Sequence, residues 1–274
     1  NAWLFVVPAA LPVLDLAFWT GCFFLDEFDA LMLVTLAAWC WHGVAGGTAR
    51  RALPRAAWPL LLSVAVATVI PLVPWPALSP DAFASYWSPF NALRVAKGFL
   101  WGALLFVMAR PALAAGRGGL LAAGMVAGLL GASLAALWES WLFTGFATGS
   151  DYRVTGTFSS MHTGGGHIEA YLVAALPFAW LLLLGGRHIV LRLVAVLAFL
   201  LAAYAILSTV ARGGLLGFAA VVLVLALANL RLLPRVAGRA GAAVALGALA
   251  AGVVVLAMGV AGGGFLQQRI DQTV

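Results

Sequence analysis

Long apolar runs, separated by short polar segments, recur along the whole chain and decide what it can fold into. A run such as Ala240–Gly262 is long enough to cross a bilayer as a helix, which needs about 20 residues. In hydrocarbon only a helix pairs all of its backbone groups within the segment. Hydrophobic residues make up 64% of the sequence, whereas a soluble domain has about 45–50%. The sequence therefore predicts an all-α, polytopic membrane protein.

Nine transmembrane helices are predicted within one transmembrane domain, residues 1–262. They run over Trp3–Leu14, Ala30–Val44, Ala56–Val73, Ala92–Ala109, Leu120–Phe143, Ile168–Leu184, Ile189–Thr209, Leu215–Leu230 and Ala240–Gly262. Residues 263–274 are predicted to begin a periplasmic loop. Because the sequence opens on Asn1 and stops at Val274 in a polar segment, we expect it to be part of a longer polypeptide.

The loops on alternate sides of the membrane differ in charge. Ten of the 15 Lys and Arg residues fall in alternate loops, at Arg50, Arg51, Arg55, Arg110, Arg117, Arg187, Arg192, Arg231, Arg235 and Arg239. None of the nine Asp and Glu residues lies there. The positive-inside rule makes these loops and the N-terminus cytoplasmic. This asymmetry explains the isoelectric point of 10.2 without nucleic-acid binding.

The other five cations are predicted to lie at the outer side of the membrane: Arg94, Lys97, Arg153, Arg212 and Arg269. Arg94 and Lys97 share one face of the fourth predicted helix with Asn91 and Trp101. Charges at that depth are costly and mark functional sites. The alternative is a structural ion pair of these cations with Glu139 or Glu169.

Arg212 is expected just before the eighth helix, where the positive end of the helix dipole disfavours a cation by about 0.3–1 kcal/mol. We therefore expect an anionic partner for Arg212, with a snorkelling anchor as the alternative. Tyr204, Ser208 and Arg212 follow at intervals of four, which predicts one shared face of the seventh helix.

A polar, glycine-rich loop leads from Gly156 to the outer end of the sixth helix. Gly165 and Gly166 would let backbone N–H groups approach an anion that the helix N-terminus also favours. A plain flexible turn is the alternative. His167 and Glu169 follow in the first helical turn, where an acid is favourable in any case.

A diphosphate carried by a polyprenol fits several outward cations near the membrane surface. Each charge-assisted hydrogen bond to an arginine contributes about 1.5–3 kcal/mol. Guanidinium groups could also stabilise the charge that grows on the diphosphate as a glycosyl bond breaks, a role that Mg²⁺ often fills. We expect no cofactor and no metal, and the alternative is a divalent cation held by oxygens of Asp26, Glu27 and Asp29.

Several segments resemble the core of the O-antigen ligase and O-antigen polymerase superfamily of bacterial inner membranes. They are Gly156–Phe158, the polar loop after it, Ala174–Pro177, the basic turn Gly185–Arg192 and Ala211–Gly217. The resemblance implies a GT-C-like helical fold that transfers a glycan from undecaprenyl diphosphate on the periplasmic face, without a nucleotide sugar or metal. It also implies that a long loop with a catalytic histidine follows the ninth helix, and that Arg212 holds the diphosphate.

Together these observations predict a membrane glycosyltransferase whose acceptor is lipid A core or a further glycan. Ligase, polymerase and protein O-oligosaccharyltransferase remain open. The predicted catalytic residues are Arg212, His167 and Glu169, and the predicted diphosphate-binding residues are Arg212, Arg269, Arg94, Arg153, Lys97, Gly165 and Gly166. The alternative from another class is a secondary transporter or lipid-linked glycan flippase. Its intramembrane ion-coupling network would use Arg94, Lys97, Glu139 and Glu169.

Overall fold

A computed structural model of the chain describes residues 1–14, 27–46, 54–55, 57–79, 88–145, 152, 154–158, 167–185, 188–209 and 211–229. Within these ranges every regular element is helical. The helices are α1 (Trp3–Ala10), α2 (Glu27–Gly46), α3 (Ala57–Val69), α4 (Asn91–Ala114), α5 (Gly118–Thr144), α6 (His167–Gly185), α7 (Ile189–Ser208) and α8 (Arg212–Asn229). They correspond to the first eight predicted spans. The ninth span, Ala240–Gly262, and the boundary predicted at residue 262 lie outside the described residues.

Four of the described helices are long and apolar enough to cross a membrane. They are Asn91–Ala114, Gly118–Thr144, Ile168–Gly185 and Ile189–Ser208. Two shorter apolar helices cover Ala57–Leu72 and Gly213–Leu225. The prediction of an all-helical membrane protein is confirmed at this level.

The ends of α3 and α4 differ from the predicted ones. After Val69, α3 tightens into the 3₁₀ turn Ile70–Leu72, because Pro71 has no N–H for another α-helical hydrogen bond. Helix α4 continues past its predicted end at Ala109. The guanidinium of Arg110 lies 5.9 Å from the ring centroid of Phe106, one turn earlier, so this basic residue belongs to the helix.

The described helices fall into two compact units, one with α2–α4 and one with α1 and α5–α8. In the α2–α4 unit, α3 packs along α4. Phe90, at the start of α4, is 1% exposed, and its ring meets that of Trp75 edge to face at 5.7 Å. Phe90 is therefore a packing residue of this unit.

The core of the α5–α8 unit lies around α6, which packs against both α7 and α8. Helix α6 contributes Leu172, Leu176 and Trp180, all nearly fully buried. Most buried residues of α7 are small, namely Ala195, Ala198, Ala202, Ala203 and Ala205, and the other two are Phe199 and Ile206. Small side chains let membrane helices approach closely, where van der Waals packing holds them together.

Helix α1 packs against α5 at two glycines. A β-carbon on Gly124 would lie 2.9 Å from Cα of Phe5, and one on Gly128 would lie 2.8 Å from the carbonyl oxygen of Pro8. Gly124 meets Phe5, and Gly128, one turn later in α5, meets Pro8, one turn later in α1. The two helices therefore run parallel. This contact leaves no space for a larger side chain.

Candidate functional site

One end of the α5–α8 unit collects most of its polar side chains, and we call it the polar end. It consists of the C-terminal ends of α5 and α7, the N-terminal ends of α6 and α8, and the described loop residues 152 and 154–158. Four of its acidic and hydroxyl side chains are buried: Glu139, Ser140, Glu169 and Thr209. Glu139, Ser140 and Thr209 have described hydrogen-bond partners, as most buried polar groups do, whereas the buried hydroxyl of Thr157 has none among the described residues.

Glu139 of α5, which is 8% exposed, accepts hydrogen bonds from the loop after its own helix. The hydroxyls of Tyr152 and Thr155 donate to Oε1 over 2.7 and 3.1 Å. The backbone N–H groups of Thr155 and Gly156 donate to Oε2 over 3.1 and 2.5 Å. Every described partner of this carboxylate is thus a neutral donor.

The same loop is also fixed by packing. Gly156 has φ +61°, a left-handed conformation that glycine adopts without strain, and a β-carbon there would lie 2.9 Å from Cδ1 of Ile168. Val154 is 2% exposed and Phe158 is 9% exposed. The Phe158 ring packs on that of Tyr171 with centroids 5.6 Å apart. Residues 154–158 are therefore part of the core as well as of the polar end.

Tyr152 stands at the edge of this arrangement, with its ring stacked on Phe143 at 5.1 Å. Its pKa is raised from 10.0 to about 12. Burial is the largest cause, because it penalises the phenolate, and the hydrogen bond and negative charge of Glu139 act in the same direction. Tyr152 is therefore a hydrogen-bond donor to Glu139 at any ordinary pH.

Helices α6 and α8 meet at their N-terminal turns. A β-carbon on Gly214 would lie 2.8 Å from Cγ of Glu169, which is 4% exposed. Ile168, beside Glu169, is the residue that Gly156 packs against. The first turn of α6 thus connects the loop to the first turn of α8, and Arg212 is the first residue of α8.

The end of α7 corrects one prediction. Tyr204 hydrogen-bonds Ser140 of α5 over 2.8 Å, and the Ser208 hydroxyl donates to the Ala205 carbonyl over 2.8 Å. Helix α7 ends at Ser208 and Arg212 opens α8. Arg212 therefore does not share a face of α7 with Tyr204 and Ser208, and the predicted row of three residues is wrong.

An open cleft of about 430 Å³ lies between the C-terminal half of α5 and the loop. Its walls include Trp138, Leu142, Phe143 and Tyr152, and Glu139 lies at its polar side. Trp138 and Phe143 are 61% and 63% exposed. The cleft thus combines aromatic rings with hydroxyl groups and one carboxylate.

Two predicted cations lie in the α2–α4 unit, each with a described partner. The Lys97 ammonium is 2.6 Å from Oδ2 of Asp29, and the indole N–H of Trp101 donates to Oδ1 of Asp29 over 2.6 Å. Asp29 is 2% exposed. Arg94 Nε donates to the side-chain oxygen of Asn91 over 2.9 Å. The ion pair of Lys97 is therefore with Asp29, where the sequence suggested Glu139 or Glu169.

Other predicted site residues lie outside the described part. These are Arg153, Arg269, Gly165 and Gly166. For His167 and Arg212 the structure describes the helix starts that they occupy and not their side chains. Among the described residues, no group of three His, Cys, Asp or Glu side chains could hold a metal ion.

Sequence reasoning missed Asp29, Tyr152 and Thr155 as partners. A signal was available for the loop, since Gly156 is a turn-forming residue in the polar segment between the end of α5 and the start of α6. For Asp29 the signal was weaker, because a charge in a membrane segment demands a partner but does not name one.

No protein-family model, curated protein or solved structure matches the chain. The function of the polar end is therefore inferred from its own residues and from the sequence motifs at Gly156–Phe158 and Ala211–Gly217.

Proposed function

We propose that the chain is a membrane glycosyltransferase, which transfers a glycan from undecaprenyl diphosphate to an acceptor hydroxyl at the periplasmic face of a bacterial inner membrane. The observation that carries the proposal is the meeting of three elements at the polar end. These are the Gly156–Phe158 loop, the first turn of α6 and the first turn of α8, joined by the contact of Gly214 with Glu169.

Two helix N-termini and one arginine at this end would attract an anion, with Glu139 and Glu169 acting against it. The N-terminus of a helix carries a partial charge of about +0.5, and α6 and α8 both begin here. Arg212 adds a full positive charge at the first position of α8. A diphosphate head with its prenyl tail in the bilayer would be attracted by both helix ends and by the guanidinium, which grips phosphate through paired N–H groups.

The cleft beside the loop suits the sugar part of the donor or acceptor. Sugar rings have apolar faces and hydroxyl edges, and the cleft offers the exposed rings of Trp138 and Phe143 beside the polar groups around Glu139. The one carboxylate in its lining disfavours a second anion there. The diphosphate and the sugar would then occupy different parts of the polar end.

The proposed reaction is a direct displacement. The acceptor oxygen forms a bond to the anomeric carbon, the bond from that carbon to the diphosphate breaks, and the diphosphate leaves with the electron pair. Arg212 stabilises the departing charge. A base takes the acceptor proton, and the candidates in this chain are His167 and Glu169.

The other cations predicted to bind the diphosphate differ in whether they keep that role. Arg153 and Arg269 stay predicted diphosphate ligands, with Gly165 and Gly166. Arg94 stays a predicted ligand as well. Lys97 is withdrawn from this set, because Asp29 already pairs with its ammonium group.

A transfer assay tests the proposal. The purified full-length protein in nanodiscs would receive undecaprenyl diphosphate glycan and lipid A core, with and without EDTA, and the products would be measured by mass spectrometry. We expect transfer in EDTA, a loss of about 100-fold in Arg212→Ala and a smaller loss in Arg212→Lys. Arg117→Ala, which removes an exposed arginine elsewhere, is the control and should keep full activity. No transfer by the wild-type protein to any glycan, lipid A or protein acceptor would overturn the proposal.

A secondary transporter or flippase is the second candidate, because Asp29 and Lys97 form an ion pair between two helices of the α2–α4 unit. Ionisable pairs within membrane segments often belong to ion-coupling networks. Substrate uptake into vesicles that depends on a proton gradient, is lost in Asp29→Asn and occurs without glycosyl transfer would favour this candidate. Glu139 does not fit such a network, since its described partners are neutral.

A further inference from the structure

The donors around Glu139 have the composition of an anion-binding site. They are the hydroxyls of Tyr152 and Thr155 and the backbone N–H groups of Thr155 and Gly156, and together we call them the anion cradle. Two adjacent backbone N–H groups that converge on one oxygen form a nest, an arrangement that binds anions in many proteins. In this chain the anion is a side chain of the protein itself.

The cradle uses the full accepting capacity of the Glu139 carboxylate. A carboxylate offers about four lone-pair sites, and four donor groups occupy them here. A general base needs a lone pair that faces the proton it removes. Glu139 has none to spare, so its role is to hold the loop and not to take part in proton transfer.

The cradle also borders the open cleft described above, which is lined by Glu139, Tyr152, Thr155 and Gly156 among others. A small solute could therefore reach these donors if the carboxylate were removed. Replacing glutamate by alanine keeps Cβ and deletes Cγ, Cδ and both oxygens. Acetate consists of the same two carbons and two oxygens, so it matches the deleted atoms.

We propose that Tyr152, Thr155 and Gly156 form a binding site for a small carboxylate anion, which Glu139 fills from within the chain. Glu139 is thereby a positioning residue that fixes the loop at the polar end. Without it, two partly buried backbone N–H groups lose their acceptor, and the loop loses the geometry in which Val154 and Phe158 reach the core.

Chemical rescue tests this proposal. Thermal unfolding of Glu139→Ala in detergent would be followed at increasing acetate and constant ionic strength, with acetamide as the neutral molecule of the same shape. We expect a lowered Tm that rises toward the wild-type value with acetate along a saturating curve, as for any ligand of the folded state, and no response to acetamide. The wild-type protein should respond to neither.

Two further variants sharpen the test. Glu139→Met fills the same space without an acceptor, so it should be destabilised and should not respond to acetate. Adding Tyr152→Phe to Glu139→Ala removes one donor and should weaken the acetate response by about tenfold. Equal responses of Glu139→Ala to acetate, acetamide and chloride, or an acetate response in Glu139→Met, would overturn the proposal.

If Glu139→Ala does not fold, hydrogen exchange of Glu139→Met provides the test. In Glu139→Met the amides of Thr155 and Gly156 should exchange at least about tenfold faster than in the wild-type protein, with unchanged protection in α7. Unchanged exchange at both amides would contradict the cradle. These measurements need no glycan, so their outcome and that of the transfer assay are independent.

Discussion

Gly214 of α8 touches Glu169 of α6 so closely that a β-carbon at position 214 would lie 2.8 Å from Cγ and 3.0 Å from Cβ of the glutamate. The adjacent Gly213 is exposed and has open space around its own β-carbon position. Gly213 and Gly214 therefore differ in packing, although they are neighbours in the same motif. Only Gly214 sets the distance between the two helix starts at the polar end.

This difference predicts the effects of two alanine substitutions. Gly214→Ala should lower stability by about 1–3 kcal/mol, because Glu169 is buried and α6 must move to admit the methyl group. Gly213→Ala should be neutral or stabilise by about 0.5 kcal/mol through helix propensity. Thermal unfolding of both variants in the same detergent measures this. Equal destabilisation by the two substitutions would show that the contact does not constrain the helices.

A second set of glycines tests the parallel packing of α1 on α5. Gly128→Ala should destabilise by about 1–3 kcal/mol, since its β-carbon would meet the Pro8 carbonyl and the Tyr171 hydroxyl. Gly131→Ala, on the same helix, has nothing within 4 Å and is the matched control. Denaturant titration monitored by tryptophan fluorescence would compare them. A neutral Gly128→Ala would mean that α1 can move away from α5 at little cost.

The positions of the helices could be predicted from the sequence because the bilayer allows hardly any other backbone structure. Apolar runs of the required length mark them, and prolines such as Pro71 mark an end. Hydropathy does not reveal how each helix is rotated about its own axis, because a helix that is apolar all round has no preferred face. The pairing of Lys97 with Asp29, 68 residues apart, depends on that rotation.

The polar end shows the same limit in another form. The sequence pointed to Gly156 and Glu169 one at a time, from turn chemistry and helix-end charge. It did not contain the fold of the loop back onto Glu139, which depends on Val154 and Phe158 filling the core. The predicted row of Tyr204, Ser208 and Arg212 failed because α7 ends at Ser208 and Arg212 begins α8, and spacing by four residues holds only within one helix.

The ion pair of Lys97 and Asp29 in the α2–α4 unit predicts that the Lys97 single variant loses more stability than the double variant. Lys97→Met leaves Asp29 buried without its ammonium partner and should cost about 3 kcal/mol. Adding Asp29→Leu removes the orphaned charge and should recover most of that loss. Thermal unfolding of the two single variants and the double variant gives the coupling. Additive losses would show that the 2.6 Å contact contributes little in the membrane.

The raised pKa of Tyr152 predicts a change in alkaline solution. The phenol ionises near pH 12 in the folded protein and near its ordinary value of 10.0 in the unfolded chain. The folded state therefore keeps its proton longer, so this residue contributes no pH dependence below pH 10 and its contribution to stability falls between pH 10 and 12. Ultraviolet absorbance would be titrated for the wild-type protein and for Tyr152→Phe, and the difference between the two curves isolates the ionisation of this phenol. Glu139→Met should lower its pKa only in part, because burial is the larger cause. A difference curve centred at the ordinary value would contradict the hydrogen bond between Tyr152 and Glu139, and with it the cradle around the carboxylate.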